Sequence, residues 1–166
     1  MTTARTTTLA KDESRTASIE SVAAILTCCK TSQIEAWLAR TKKTPELKHL
    51  HLSDDQRTGH LPKLVDDLVA RLHLPKLPDE DNDSLPSLAA VEHGKLRRKQ
   101  GYSSGMLIHE SRILQVTIFG TLNENLSTLD FRLLLPDVMI IADEVDAQLT
   151  QTMDGFANAG PKSTAA

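Results

Sequence analysis

A chain of 166 residues, 40% of them hydrophobic and 25% charged, is long enough to bury one core without disulfides or a structural metal. Aromatics at 3% oblige that core to be built from Leu, Ile, Val and Ala, and with only seven glycines this favours an all-α fold over a sandwich of strands and tight turns. The net charge of −3 argues against a nucleic-acid surface covering the whole chain, and no run of 18 apolar residues is present to span a membrane.

Residues 1–17 are Thr-rich, lack apolar periodicity and carry no apolar signal core, so they are expected to be a disordered leader. A helical domain is expected over 18–157 and a disordered tail over 158–166. The spacing of Ile19, Val22, Ala23, Leu26, Ile34, Trp37 and Leu38 predicts one long helix or two abutting ones, ending before Pro45. Cys28 and Cys29 point about 100° apart on such a helix. They are therefore poor disulfide partners and read as buried small hydrophobes in a reducing cytoplasm. Ser53-Asp54-Asp55-Gln56 has the spacing of a capping box, and Leu61, Leu64, Val65, Leu68, Val69 and Leu72 form a broad stripe that Pro62 should kink or restart. Pro75, Pro78 and Pro86 enclose an acidic loop carrying Asp79, Glu80, Asp81 and Asp83.

A third helix is expected from Ser87 to Gln100, with Leu88, Val91, His93, Leu96 and Arg97 near one face and Gly101 as its left-handed terminator. Lys95, Arg97, Arg98 and Lys99 give this helix a basic cluster, read as a solvated face or a docking patch for an acidic partner. Ser103 can cap a fourth helix, which is almost continuously apolar from Met106 to Leu122 and loses its pattern at Asn123-Glu124-Asn125. Ser127-Thr128-Leu129-Asp130 offers a capping signal for a long final helix reaching Phe156, bent at Pro136. Its Leu135, Ala142 and Leu149, with Val138 and Val145 between, approach a heptad, so a homodimer through this helix is expected. The resulting architecture is a single bundle of about five helices with a long C-terminal helix.

The most specific stretch is Ala89-Ala90-Val91-Glu92-His93-Gly94-Lys95-Leu96-Arg97, followed by Gln100-Gly101-Tyr102 and by Glu110 to Leu114. Together with Trp37 and His60-Leu61-Pro62-Lys63-Leu64-Val65-Asp66-Asp67-Leu68, it resembles the N-terminal domain of RsbR/RsbRD-type co-antagonists, also found ahead of sensor histidine kinases. The resemblance runs from about Val22 to Ala147, and departs from the family at Ser111 and Gln115, where aromatic or basic residues are usual. It implies a cytoplasmic, non-catalytic sensory module of a bacterial signalling protein, with a STAS or kinase output domain as partner and a small-molecule ligand of unspecified kind. No output domain follows in this sequence, which makes it either a standalone regulator or a piece of a longer protein.

The residues support a mechanism of their own. His93 and Arg97 are four apart and share a helix face. If the third and fourth helices fold back around Gly101-Tyr102, His93 and Glu110 lie about equally far from the turn, so Glu110 can accept hydrogen bonds from either base. The trio, with Tyr102 and Trp37 beside it, is either a satisfied polar network in an aliphatic bundle or the lining of a ligand pocket in which Arg97 recognises a carboxylate or phosphate and His93 responds to pH. Gly94 in mid-helix weakens the helix unless a neighbouring helix or ligand needs the close approach. Trp37 is read as a core anchor.

Neither metal nor haem is expected. The two side chains of His49-Leu50-His51 diverge on a helix, no Cys or carboxylate completes a familiar spacing with His60, His73 or His109, and nothing around His93 marks a haem ligand. No phosphate-binding glycine loop, nucleophile elbow or kinase signature is present, and Asp66-Asp67 and Asp143-Glu144 read as solvated surface acids. A protein-interaction scaffold without a small ligand is the competing reading.

Overall fold

The computed structural model describes residues 20–74 and 86–159, and these form eight α-helices with no β-strand among them. They are α1 (Val22–Cys28), α2 (Lys30–Lys43), α3 (Pro45–Lys48), α4 (Asp54–Thr58), α5 (Leu61–Leu72), α6 (Leu88–Lys99), α7 (Ser104–Glu124) and α8 (Phe131–Asn158). The expected leader and the acidic loop at Asp79–Asp83 lie outside the described residues, as does the expected tail beyond Ala159. The all-α bundle with a long last helix is what the composition implied; the count exceeds five because two expected helices divide and α3 is added.

Each division has a local cause. The first helix breaks at Cys29, whose backbone leaves helical geometry between α1 and α2. Pro45 cannot continue α2 and opens the short α3 instead. The capping box forms as the spacing required, with Gln56 N donating to Ser53 Oγ and Ser53 N donating to Gln56 Oε1. It starts α4, which ends before Gly59, and Pro62 then occupies the first turn of α5, where its missing donor costs no internal hydrogen bond. Ser87 and Ser103 cap α6 and α7 with side-chain oxygens that accept from Ala90 N and Met106 N. Gly101 turns the chain between them at φ +82°.

The final helix begins later than the capping signal suggested. Ser127 and Thr128 are taken up in a 3-10 turn, Leu126–Thr128, and Asp130 is the cap, accepting from Arg132 N at 3.0 Å. Glu20 N donates to Thr128 O at 2.8 Å, tying the start of α1 to this corner.

The main core joins Ile25 and Leu26 of α1, Trp37 of α2, Leu61 and Leu68 of α5, Leu114 and Ile118 of α7, and Ile141 and Val145 of α8. The heptad-like row of α8 therefore faces its own bundle: Val145 is buried, Val138 packs against the core and Leu149 lines a cavity, so of these residues Leu135 is the one left exposed. This corrects the expected coiled-coil seam. The apolar side chains α8 shows to solvent are Phe131, Leu133, Leu135 and Met139, at its N-terminal end.

Two further expectations change. On α6 the buried face is Ala90, His93, Gly94 and Arg97, while Leu88 and Leu96 are exposed. The reason is α8, which lies so close that only small residues fit between the backbones. A Cβ added to Gly94 would collide with Thr152 O and lie 2.7 Å from Phe156 N, and one added to Gly155 would collide with Val91 O. The cysteines are free, with Cys28 exposed and Cys29 half-buried, not enclosed as small hydrophobes.

Candidate functional site

The site grows from the ends of short helices. Because α4 lasts only five residues, its terminal carbonyls lack partners within the helix, and a cation placed there satisfies them. Arg97 of α6 is that cation. Its Nη1 donates to Gln56 O at 3.0 Å and to Gln100 Oε1 at 2.6 Å, and its Nη2 donates to Arg57 O at 2.7 Å. Arg57, itself buried, donates to Leu50 O at 2.6 Å and so fixes the loop after α3.

The remaining edge of the Arg97 guanidinium grips Glu110 of α7, with Nε to Oε2 at 3.0 Å and Nη2 to Oε1 at 2.8 Å. Arg97 is 0% exposed and Glu110 4%, so this is a fully desolvated bidentate pair. Tyr102 donates its hydroxyl to Glu110 Oε1 at 2.7 Å, and its ring lies beneath the guanidinium at 4.7 Å. His93 Nε2 stands 3.3 Å from Glu110 Oε2, while its Nδ1 has no partner. Trp37, a core anchor, also donates its indole N–H to the Glu110 carbonyl at 3.3 Å.

Glu110 thus contacts both His93 and Arg97, but the helices carrying them are not tightly paired. The closest and most extensive neighbour of α6 is α8, and long side chains span the gap to α7. The fold-back at Gly101 sets the level of the residues, and the glycine contact with α8 sets the distance.

His60, read from sequence as the start of a segment in the family resemblance and as one of several scattered histidines but not as a site residue, completes the cluster. It stands at the N-cap of α5, its ring stacked on His93 at 3.7 Å with 15° between planes and edge-on to Trp37 at 6.0 Å. Arg97 Nη2 lies 3.5 Å from His60 Nδ1. No short-range spacing could have revealed it, because His60 and His93 are 33 positions apart and meet only through the fold. The signal that could have is the capping box and Pro62, which together fix a helix start beside His60.

Electrostatics follow from burial and pairing. Desolvation would raise the Glu110 carboxyl, but His93, Arg97 and Tyr102 outweigh it and hold the group below the usual range. Burial pushes the His93 imidazole below its ordinary value despite the opposing pull of Glu110. It pushes His60 well below, helped by His93 and Arg97. Burial and then the Glu110 charge push the Tyr102 phenol up. Around neutrality the cluster is one anion, one cation and two neutral imidazoles.

A cavity of about 30 Å³ lies against the cluster, lined on its polar side by Trp37, His60, His93, Glu110 and Gln148 and on its apolar side by Leu61, Leu114 and Val145. It has room for one or two waters. An open groove of about 740 Å³ between α5 and α6 is walled by Lys63, Asp66, Leu88, Leu96 and Lys99. The groove is larger, but the buried chemistry belongs to the cavity, and His60 and His93 line both.

A second polar patch lies on α8. Glu144, expected on the surface, is buried and accepts from Gln148 Nε2 at 2.9 Å, while Gln148 also donates to Leu64 O. Burial, the largest cause, raises its carboxyl, and Oε2 has no partner. Asp67 accepts from Ser87 Oγ at 2.6 Å, so it too does more than face solvent. One donor atom each of His60, His93 and Glu110 lies within 4.8 Å of the other two. No helix among the described residues is long and apolar enough to cross a membrane. Comparison with protein-family models, with curated proteins and with solved structures gives no match to this chain.

Proposed function

We propose that this chain is a non-catalytic sensory module of a bacterial signalling protein, in which an input at the His60–His93–Arg97–Glu110 cluster is passed to an output partner through α8. The observation that carries the reading is the cluster itself. Ions are costly to bury, and an aliphatic filling of the same space would serve stability at least as well, so such a network is best explained by a requirement for defined alternative packings. The cluster draws on α4, α5, α6 and α7 together, and α6 hands its position to α8 through the Gly94–Gly155 contact. Both oxygens of Glu110 are taken by Arg97, Tyr102 and His93, the arrangement of an anchoring carboxylate, which supports a non-catalytic role.

The likeness of the His93-Gly94 and Gly101-Tyr102 stretch to RsbR/RsbRD-type N-terminal domains supports the same assignment, with a STAS or kinase module as the output. A cytoplasmic setting accords with two free cysteines. Fusing the chain through α8 to a histidine-kinase core tests the reading. His93→Gln should change autophosphorylation several-fold, whereas Glu35→Gln on exposed α2 surface should not. A kinase indifferent to cluster variants that still fold would remove the sensory role.

The exposed Phe131, Leu135 and Met139, one helical face at four-residue spacing, favour a second reading as an interaction scaffold, self-associating through the start of α8. Equilibrium sedimentation separates the two. A scaffold keeps its assembly when the cluster is altered and loses it when Leu135 is made charged.

A further inference from the structure

The geometry points to a binding site for one first-row transition-metal dication, with zinc the best match, held by His60 Nε2 or Nδ1, His93 Nε2 and Glu110 Oε2. It supplies an input for the sensory reading above and rests on that reading only for its consequence, not for the binding. The three donors come from α5, α6 and α7, so the ion would join three helices at one point.

Distances support the assignment. Two donors each about 2.0–2.1 Å from a tetrahedral ion stand about 3.3–3.4 Å apart. His93 Nε2 and Glu110 Oε2 are 3.3 Å apart, already at that separation, and the His60 donor lies within 4.8 Å of both. Arg97 and Tyr102 hydrogen-bond the carboxylate from outside, as residues around a ligating carboxylate do, and leave it lone pairs to share.

The surroundings supply the rest of a coordination sphere. Nearly all buried polar atoms in proteins have a partner, yet His93 Nδ1, in a residue 6% exposed, has none. With Nε2 on an ion the ring proton sits on Nδ1, and a water in the adjoining cavity of about 30 Å³ can accept it. A second water there can take the fourth position. Two nitrogens and one oxygen, with no sulfur, suit zinc, nickel or copper better than magnesium or calcium.

One movement is required. The stacked rings of His60 and His93 aim their lone pairs in parallel, so His60 must tilt off the stack for its nitrogen to converge. His60 sits at the start of α5 and lines the open groove as well as the cavity, which gives its ring space to turn. Metal binding would then exchange the imidazole stack and the Arg97–His60 contact for coordination, shifting the start of α5 against α6.

The test is calorimetric titration of the full chain with zinc chloride, together with cobalt(II) absorption. Expected are one equivalent of zinc and the intense visible bands of four-coordinate cobalt. His60→Phe keeps the ring on its neighbours but removes the donor, and should weaken zinc binding at least about tenfold. His49→Ala with His51→Ala, on the exposed loop, should leave binding unchanged. No binding at about 100 µM zinc, or binding that survives His60→Phe and disappears with the His49 and His51 changes, overturns the site. If His60→Phe does not fold, the wild-type cobalt spectrum decides: six-coordinate, weak bands count against the site and four-coordinate bands for it. Hydrogen exchange along α8 keeps the two ideas apart. Zinc bound here with α8 unaffected upholds the metal site and removes the sensory role, while kinase output that follows cluster variants in a protein indifferent to zinc does the reverse.

Discussion

Glu110 is the side chain on which the buried charges converge, and its neighbours make different predictions for different substitutions. Glu110→Gln leaves Arg97 enclosed with its counter-charge gone and one of its two acceptor oxygens replaced by an amide donor; it should lower unfolding free energy by about 3–5 kcal/mol, read from urea titration. Tyr102→Phe removes one hydrogen bond to a carboxylate and leaves the ring under the guanidinium, so the loss should be about 1.5–3 kcal/mol. Glu144 behaves in the opposite sense. Its folded-state carboxyl is raised by burial, so the folded protein binds the proton more readily than the unfolded chain, and stability is gained as pH falls through that raised value. Melting curves between neutrality and mild acid should show the wild type gaining relative to Glu144→Gln, with the variant at least as stable at neutral pH because the Gln148 contact is kept and the buried charge removed. A variant clearly weaker at neutral pH would show that the ionised Glu144 is a net stabiliser.

At the level of the helices, glycines separate three kinds of constraint. Gly94 and Gly155 are held by backbone against backbone, so Gly94→Ala must push α6 off α8 and should cost about 1–3 kcal/mol or prevent folding altogether. Gly101 has open space but a left-handed backbone, and Gly101→Ala should cost about 1–2 kcal/mol. Gly120 has neither constraint, so Gly120→Ala in mid-α7 should stabilise by about 0.4–1 kcal/mol. Thermal unfolding of the three alanine variants should rank them in that order. The same elements show how far sequence reaches. Caps at Ser53 and Ser103, the helix start near Ser87 and the turn at Gly101 were legible because their chemistry is local, and Glu110 with its two bases followed from counting residues away from that turn. The partner of α6 was not legible, since apolar periodicity favoured Leu88 and Leu96 for burial and gave Ala90 and Gly94 no weight. Nor was His60, for proximity between residues on different helices leaves no trace in spacing.

Taken as a whole molecule, the bundle keeps its aliphatic core and its charged cluster adjacent but distinct, with Trp37 touching both. The apolar row on α8 belongs at this scale. If Phe131, Leu135 and Met139 are the surface of self-association, Leu135→Glu should turn a dimer into a monomer in sedimentation equilibrium while leaving helical circular dichroism unchanged. A wild type that is monomeric at every concentration would dispose of that role.

The paired glycines have a mechanical corollary. Where Gly94 lies against Thr152 and Phe156, and Gly155 against Val91, the two backbones meet with nothing larger than hydrogen between them, and His93 sits immediately beside this crossing on one helix. On the other helix, 24 residues separate Gly155 from Phe131, about 36 Å at 1.5 Å per residue. A rocking of about 5° at that crossing would sweep the far tip through about 3 Å and carry Ile141 and Val145 with it, so any such movement of α8 is a repacking of the main core.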